Sequence, residues 1–142
     1  MYGSLDISTS GMIAQRTRMT AIAANLANRD TILDTDGNVN PYKRRQALFA
    51  PGNPNAVSGQ GKALGVHVRQ ISINEDAVRL KLEPGNPHAY KSGPNEGYVP
   101  VPDIDPVVEQ VNAMEAARAY EANVSAADAS KAMLAQALRL LA

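Results

Sequence analysis

Proline and glycine are concentrated in the middle of this 142-residue chain and are nearly absent from its two ends. All nine prolines lie between Pro41 and Pro106, and eight of the ten glycines lie between Gly37 and Gly97. Both residues disfavour helix interiors, because proline lacks a backbone N–H and glycine loses more conformational entropy on ordering. The distribution therefore divides the chain into three segments. They are an N-terminal helix at 1–30, a loop-rich middle at 31–105 and a C-terminal helix at 106–142.

Apolar residues at both ends repeat with the spacing of a coiled coil. In the last segment they advance by threes and fours, which is typical of left-handed supercoiling. Its stripe comprises Val107, Val111, Met114, Ala117, Tyr120, Val124, Ala127, Leu134, Leu138 and Leu141. The first segment carries a seven-residue repeat at Leu5, Met12, Met19 and Leu26. Such a repeat faces one partner only when helices wind around each other, so the terminal helices are predicted to pair as a coiled coil.

Polar and special residues predict where the two helices begin. Ser8 or Ser10 can cap the first helix, and Gly11 weakens its first turn. At the last helix, Asp105 can supply the cap and Pro106 suits the first helical position, where a missing N–H costs nothing. We therefore expect a frayed start for the first helix and a sharp start for the last.

Alternating apolar residues predict a small β element in the middle segment. One apolar run spans 66–73 and another spans 78–82, with polar residues 74–76 between them. This pattern predicts two strands joined by a hairpin turn, in a sheet of two or three strands. Extended loops are expected at 50–62 and 84–102. Since an isolated hairpin is marginal in water, we expect the middle to pack against the helices or another subunit. The fold class is mainly α with this small β element.

Charge and hydropathy exclude several classes of partner. The chain carries 14 basic and 14 acidic residues and has no net charge. No region has the basic surplus that nucleic acid or an anionic membrane demands. No stretch approaches the roughly 18 apolar residues of a membrane span. The first residues lack the pattern of a cleaved secretory signal, so we expect any export to follow another route.

Two short motifs resemble ligand sites without meeting their chemical requirements. Asp and Asn alternate from Asp34 to Asn40 as calcium-loop ligands do, but Gly37 is misplaced within the loop. Arg45 also stands where a bidentate Glu is needed. The glycines around Lys62 lack the Ser or Thr that would hold magnesium in a phosphate loop. An Asp-Gly turn and a flexible connector are the favoured interpretations.

The remaining candidates for chemistry also lack partners. His67 and His88 have no acidic residue at a metal-ligand or catalytic spacing. The basic cluster at 43–45 fits a strand edge or a protein-protein ion pair better than a phosphate site. We therefore predict no catalytic, cofactor-binding or metal-binding residues, and a protein that is not an enzyme.

Motifs along nearly the whole chain follow a recognisable order. The sequences ISTSGM at 7–12, AQRTRM at 14–19 and ANLAN at 24–28 are similar to a rod signature. The run ARAYEANV at 117–124 is similar to a closing-helix motif. Together they resemble the flagellar rod and hook family of bacterial axial proteins. Intervening matches at 36–37, 41–42, 84–87, 97–99, 102–105 and 107–112 resemble its proximal rod branch, although 89–96 is longer than usual.

This resemblance implies a structural subunit of the bacterial flagellar basal-body rod, a tubular shaft that transmits torque across the periplasm. The implied partners are other copies, other flagellar rod proteins and the flagellar type III export apparatus. The terminal helices would polymerise, and Asn25 and Asn28 would serve capping or inter-subunit hydrogen bonds. The expected assembly interface comprises Leu5, Met12, Met19, Ile22, Leu26, Asn25, Asn28, Val111, Met114, Tyr120, Val124, Ala127, Leu134, Leu138 and Leu141.

Two alternative functions remain open from the sequence. Another axial subunit would share both end helices, although distal rod and hook members usually carry larger middles. A soluble helical adaptor or chaperone could bind partner helices through the same seams.

Overall fold

A computed structural model describes residues 2–141, with side chains described for 3–140. Two long helices enclose a middle that contains a short helix and four strands. In chain order the elements are α1 (Tyr2–Ala27), β1 (Arg45–Pro51), α2 (Gly59–Leu64), β2 (Val66–Ile73), β3 (Val78–Leu82), β4 (Tyr98–Pro102) and α3 (Pro106–Leu141). The predicted class, mainly α with a small β element, is confirmed.

The terminal helices pack against each other, and this is the most extensive packing between elements of the chain. The predicted start of α3 is confirmed, because the Val107 N–H donates to the Asp105 carboxylate at 2.8 Å. The predicted start of α1 is wrong. This helix runs from Tyr2, so Ser8 and Ser10 lie inside it and cap nothing.

Ser10 and Gly11 instead contact the elements that pack on α1. The Ser10 hydroxyl donates to the Ile7 carbonyl at 2.6 Å and accepts from the Val66 N–H at 3.0 Å. It therefore attaches the first residue of β2 to the helix. A Cβ atom at Gly11 would lie only 2.7 Å from Oδ1 of Asn123. Glycine at this position lets α1 and α3 approach closely, and the helix continues through it.

Small and polar residues form the face of α3 that packs on α1. Ala116 is completely buried. Asn112 accepts a hydrogen bond from Arg18 at 3.3 Å, and Asn123 lies against Gly11. Short side chains allow a close helix-to-helix approach, which larger apolar residues would prevent. The interior seam is therefore narrower and more polar than the predicted stripe.

Several large residues of the predicted stripe lie away from this seam. Val111, Met114 and Leu138 are 51%, 55% and 59% exposed. Their expected burial within the chain is not observed, because the smaller residues beside them occupy the helix interface. Their burial between subunits stays a prediction.

The middle contains two separate antiparallel sheets, β1–β2 and β3–β4. The predicted strands at 66–73 and 78–82 are confirmed, but the predicted hairpin between them is wrong. Each strand pairs with a partner that the sequence pattern did not reveal. The expected loops are also wrong in part, since 50–62 includes the start of α2 and 84–102 includes β4.

Contacts with α1 hold the first half of the middle in place, as expected. The helix packs on α2, β1 and β2. The Asp6 carboxylate accepts a hydrogen bond from the Ser58 N–H at 2.9 Å. Ser58 in turn caps α2 by accepting from the Gly61 N–H at 3.0 Å. Among the helices within 2–141, none is long and apolar enough to cross a membrane.

Candidate assembly surface

Asn25, near the end of α1, closes the free edge of strand β1. Its side chain is 0% exposed. Its Oδ1 accepts from the Arg45 N–H at 2.9 Å, and its Nδ2 donates to the Arg45 carbonyl at 2.8 Å. The carboxamide thus bonds to both peptide groups of Arg45, as a neighbouring strand would. Oδ1 also accepts from the Tyr42 hydroxyl at 3.4 Å.

Glu109 joins the start of α3 to the same place. Its carboxylate is 1% exposed. Oε2 accepts from Asn25 Nδ2 at 3.0 Å, and Oε1 accepts from Arg44 Nε at 2.8 Å. Arg44 Nη2 lies 2.7 Å from the same Oε1. A buried carboxylate without such partners would be strongly unfavourable. We refer to Asn25, Arg44 and Glu109 as the junction.

The junction ties together the three segments of the chain. Asn25 belongs to α1, Arg44 precedes β1, and Glu109 lies in the first turns of α3. Both oxygens of Glu109 accept hydrogen bonds from groups of the chain, so the carboxylate acts as a structural anchor. A small open cavity of about 190 Å³ borders the junction, with Arg18, Ile22 and other residues lining it. Among residues 2–141 no group of three acidic or histidine side chains could hold a metal ion.

The two asparagines predicted at the interface have different roles. The side chain of Asn25 donates and accepts its hydrogen bonds within the chain, so its predicted availability for inter-subunit hydrogen bonds is not observed. Asn28 donates to the Ala24 carbonyl at 2.9 Å and accepts from the Thr31 hydroxyl at 3.3 Å. These bonds satisfy a carbonyl in the last turn of α1, which is the capping alternative.

The other predicted interface residues fall into three groups by their exposure. Ile22 and Ala127 are buried within the chain, and the exposed Val111, Met114 and Leu138 are described above. The half-buried members are Leu5, Met12, Met19, Leu26, Tyr120, Val124 and Leu134. The side chain of Leu141 lies outside the described residues.

Exposed apolar residues near the start of α3 form a continuous stripe. Val107, Val111 and Met114 follow the helical repeat and are each more than half exposed. We call these three residues the outer stripe. Contiguous apolar surface on a soluble chain marks an interaction site more often than scattered exposed residues do. The outer stripe is therefore the best candidate on α3 for contact with another subunit.

The sequence pattern missed the junction, because its members are far apart in the chain. Asn25 and Glu109 are 84 residues apart, and Arg44 and Glu109 are 65 apart. One signal was available. Glu109, Asn112 and Ala116 step by three and four, which continues the true seam as a polar and small-residue repeat.

Comparison with known families identifies the two ends separately. A model described as flagella basal body rod protein matches residues 5–32. A second, described as flagellar basal body rod FlgEFG protein C-terminal, matches residues 95–140. The first covers most of α1, and the second covers β4 and nearly all of α3.

Similar proteins cover almost the whole chain. The flagellar basal-body rod protein FlgC of Borreliella burgdorferi is 35% identical, over 99% of this chain and 97% of the relative. That of Bacillus subtilis is 37% identical, over 98% and 97%. That of Salmonella typhimurium is 37% identical, over 95% and 93%. The paired end helices and these full-length matches agree, and the chain belongs to the flagellar basal-body rod protein FlgC family.

Proposed function

We propose that the chain polymerises through α1 and α3 into the tubular shaft of the flagellar basal-body rod and transmits torque there. As a member of this family it is a structural subunit of the rod and not an enzyme. It assembles with other flagellar rod components. Family membership favours this function over that of a soluble adaptor or chaperone.

The single observation that carries the proposal is the outer stripe of α3. These residues lie away from the α1–α3 seam and remain more than half exposed in the chain. Burying a large apolar side chain contributes roughly 1.5–3 kcal/mol. A neighbouring subunit that covers the stripe would therefore stabilise the contact without disturbing the seam inside the chain.

The interior organisation of the chain suits a rotating shaft. The α1–α3 seam and the junction connect both helices to each other and to β1. A shaft transmits force through many distributed contacts between such units. The half-buried apolar residues Leu5, Met12 and Leu134 are proposed to complete their burial at those contacts.

The partners and route of the chain are also inferred from the family. We infer that other copies of the chain and other rod proteins cover its helices. We further infer that the chain passes through the flagellar type III export apparatus and lies in the part of the rod that crosses the periplasm.

The outer stripe provides a test that separates assembly from folding. Val111→Asp or Met114→Asp places a charge on a surface that is exposed in the single chain, so we expect the free energy of unfolding to change by less than about 0.5 kcal/mol. The same charge would be buried between subunits and should abolish rod assembly and motility. Met114→Leu conserves an apolar side chain of similar volume and should keep both.

Two measurements read out this test. Motility in soft agar reports function, and electron microscopy of purified basal bodies reports whether the rod is complete. Full motility and complete rods in the Met114→Asp strain would show that the outer stripe is not an assembly surface.

A further inference from the structure

Two of the four strand edges in the middle segment are closed by specific residues. On β1, Asn25 bonds to both peptide groups of Arg45. On β4, Tyr98 turns its N–H and its carbonyl away from β3, toward residues 90–95. Pro100 and Pro102 face that same edge, because alternate residues of a strand share an edge. Neither has an N–H to offer, so β4 cannot be extended by another strand.

The outer edge of β2 is bonded to α1 at its first residue, where the Val66 N–H donates to Ser10, and it remains open at its last residues. Arg45 pairs with Ile73 across the first sheet, yet both peptide groups of Arg45 point to Asn25. The pair is therefore one that exchanges no backbone hydrogen bonds, and Ile73 turns its own N–H and carbonyl outward. Because peptide groups alternate between the two edges of a strand, the N–H and carbonyl of Ile71 also point outward.

The outer edge of β3 is open by the same reasoning. Tyr98 pairs with Leu82 and points its peptide groups away from it, so Leu82 and Leu80 turn theirs outward. Within residues 2–141 no backbone hydrogen bond outside the two ladders reaches Ile71, Ile73, Leu80 or Leu82.

Apolar side chains accompany both open edges. Ile71 and Ile73 are each 48% exposed, and Leu80 and Leu82 are 40% and 60% exposed. An open edge with exposed apolar residues is a template for pairing with another strand, and proteins normally protect such edges. This chain closes β1 at Arg45 and closes β4, but it leaves β2 open at Ile71 and Ile73 and β3 open at Leu80 and Leu82.

We propose that β2 of one subunit pairs antiparallel with β3 of a neighbouring copy in the rod, joining the sheets of adjacent subunits. The inference rests on the polymerisation proposed above. Placing Ile73 opposite Leu80 sets Ile71 opposite Leu82, so all four exposed apolar residues meet in pairs. Between them Ser72 faces Lys81. At the flanks Asn74 faces Arg79 and Gln70 faces Glu83, so no like charges oppose each other.

Other registers are less complementary. A shift of two residues sets Ile73 opposite Val78 and Arg69 opposite Leu82, which pairs a charge with the most exposed of the four apolar edge residues. A shift of one residue would place the outward peptide groups of one strand against groups that already bond within the partner's own sheet. The favoured register is the one in which apolar residues oppose apolar residues throughout.

A second copy is favoured over closure of β2 onto β3 within one chain. The segment between them is held by the Asn74 N–H, which donates to the Arg44 carbonyl at 3.0 Å. The Ala77 N–H donates to the Asn74 carbonyl at 3.2 Å, and the Asp103 N–H donates to the Ala77 carbonyl at 3.0 Å. Ala77 is also buried. Closure would disturb these contacts, whereas a neighbouring copy leaves them intact.

Cysteine cross-linking tests the pairing and its register. The native chain has no cysteine, so an introduced thiol is unique. Ser72 and Lys81 would form a pair without backbone hydrogen bonds, with Cα atoms about 4.5 Å apart, which a disulfide can span. Cells lacking the native gene would produce Ser72→Cys and a tagged Lys81→Cys chain together. Because each chain carries one thiol, a mixed disulfide forms only between subunits.

In oxidised basal bodies we expect a mixed dimer that contains both chains. The matched pair Ser72→Cys with Arg79→Cys samples the register shifted by two residues. Its yield of mixed dimer should be several-fold lower. Equal yields from both pairs, or monomers only in complete rods, would overturn the pairing. A monomeric disulfide in the double variant Ser72→Cys/Arg79→Cys would show closure within one chain and would also overturn it.

Hydrogen exchange on the unsubstituted chain supplies a readout that does not depend on the variants. The amides of Ile71, Ile73, Leu80 and Leu82 should exchange rapidly in the free chain and become protected in the rod. Rapid exchange in both states would refute the pairing. If the chain is absent from purified rods, the polymerisation proposal fails. If the chain is present without cross-links or protection, only the strand pairing fails.

Discussion

Replacing Asn25 with alanine should lower the free energy of unfolding more than any other single change of a polar side chain on α1. The substitution removes bonds to the Arg45 N–H, the Arg45 carbonyl and Glu109 Oε2 at 2.8 to 3.0 Å. Each buried polar group left without a partner costs about 1–3 kcal/mol. Because Arg45 is exposed, water can reach its N–H and carbonyl, and we take the lower part of this range for these two groups. The expected loss is about 3 kcal/mol in the free energy of unfolding.

Urea and thermal unfolding followed by far-UV circular dichroism measure this loss. For a chain of this size about 3 kcal/mol corresponds to a Tm lower by about 10 °C. Asn28→Ala is the matched control, since Asn28 is only half-buried and bonds locally to Ala24 and Thr31. It should cost less than about 1 kcal/mol. Equal losses for the two variants would refute the argument that the junction holds the segments together.

Two further predictions concern α1. Gly11→Ala should destabilise the chain by about 1–3 kcal/mol, because the added Cβ would meet Asn123 at 2.7 Å. Gly59→Ala is the control, since nothing lies within 4 Å of a Cβ there, and it should be neutral or stabilising. The double variant Gly11→Ala/Asn123→Ala should recover stability. Equal stabilities of the two single variants in urea unfolding would contradict the close packing at Gly11. Hydrogen bonds from the Ser58 hydroxyl and N–H hold the pKa of Asp6 below its ordinary value of 3.8. The ionised form is thus favoured by folding, so its contribution is present above pH 3.8 and lost as the pH falls through the lower folded pKa. Asp6→Asn should make acid unfolding shallower in that range, and an unchanged acid profile would exclude the Asp6–Ser58 link.

The helices were predictable because their signals are local. Asp105 and Pro106 are adjacent, and together they determine where α3 begins. The register of α3 on α1 was harder to predict. Alanines occur on several faces of α3, so periodicity favoured the larger Val111 and Met114. The interface instead buries the small Ala116, and Gly11 lies directly against Asn123.

Strand pairing and the junction depend on contacts between distant residues. Alternation correctly predicted β2 and β3, yet it carries no information about which strand each will pair with. The short segment 74–77 suggested a hairpin, while the actual partners are β1 and β4. The same limit concealed Asn25 and Glu109, which hydrogen-bond across 84 residues of sequence.

If this chain is an obligatory building block of the flagellar rod, cells without it cannot complete the rod. Electron microscopy of basal bodies from cells in which the gene has been deleted tests it most directly, with the restored wild-type gene as control. We expect membrane rings without a completed rod in the deletion strain, and complete rods after restoration. Intact rods and filaments in the deletion strain would contradict it.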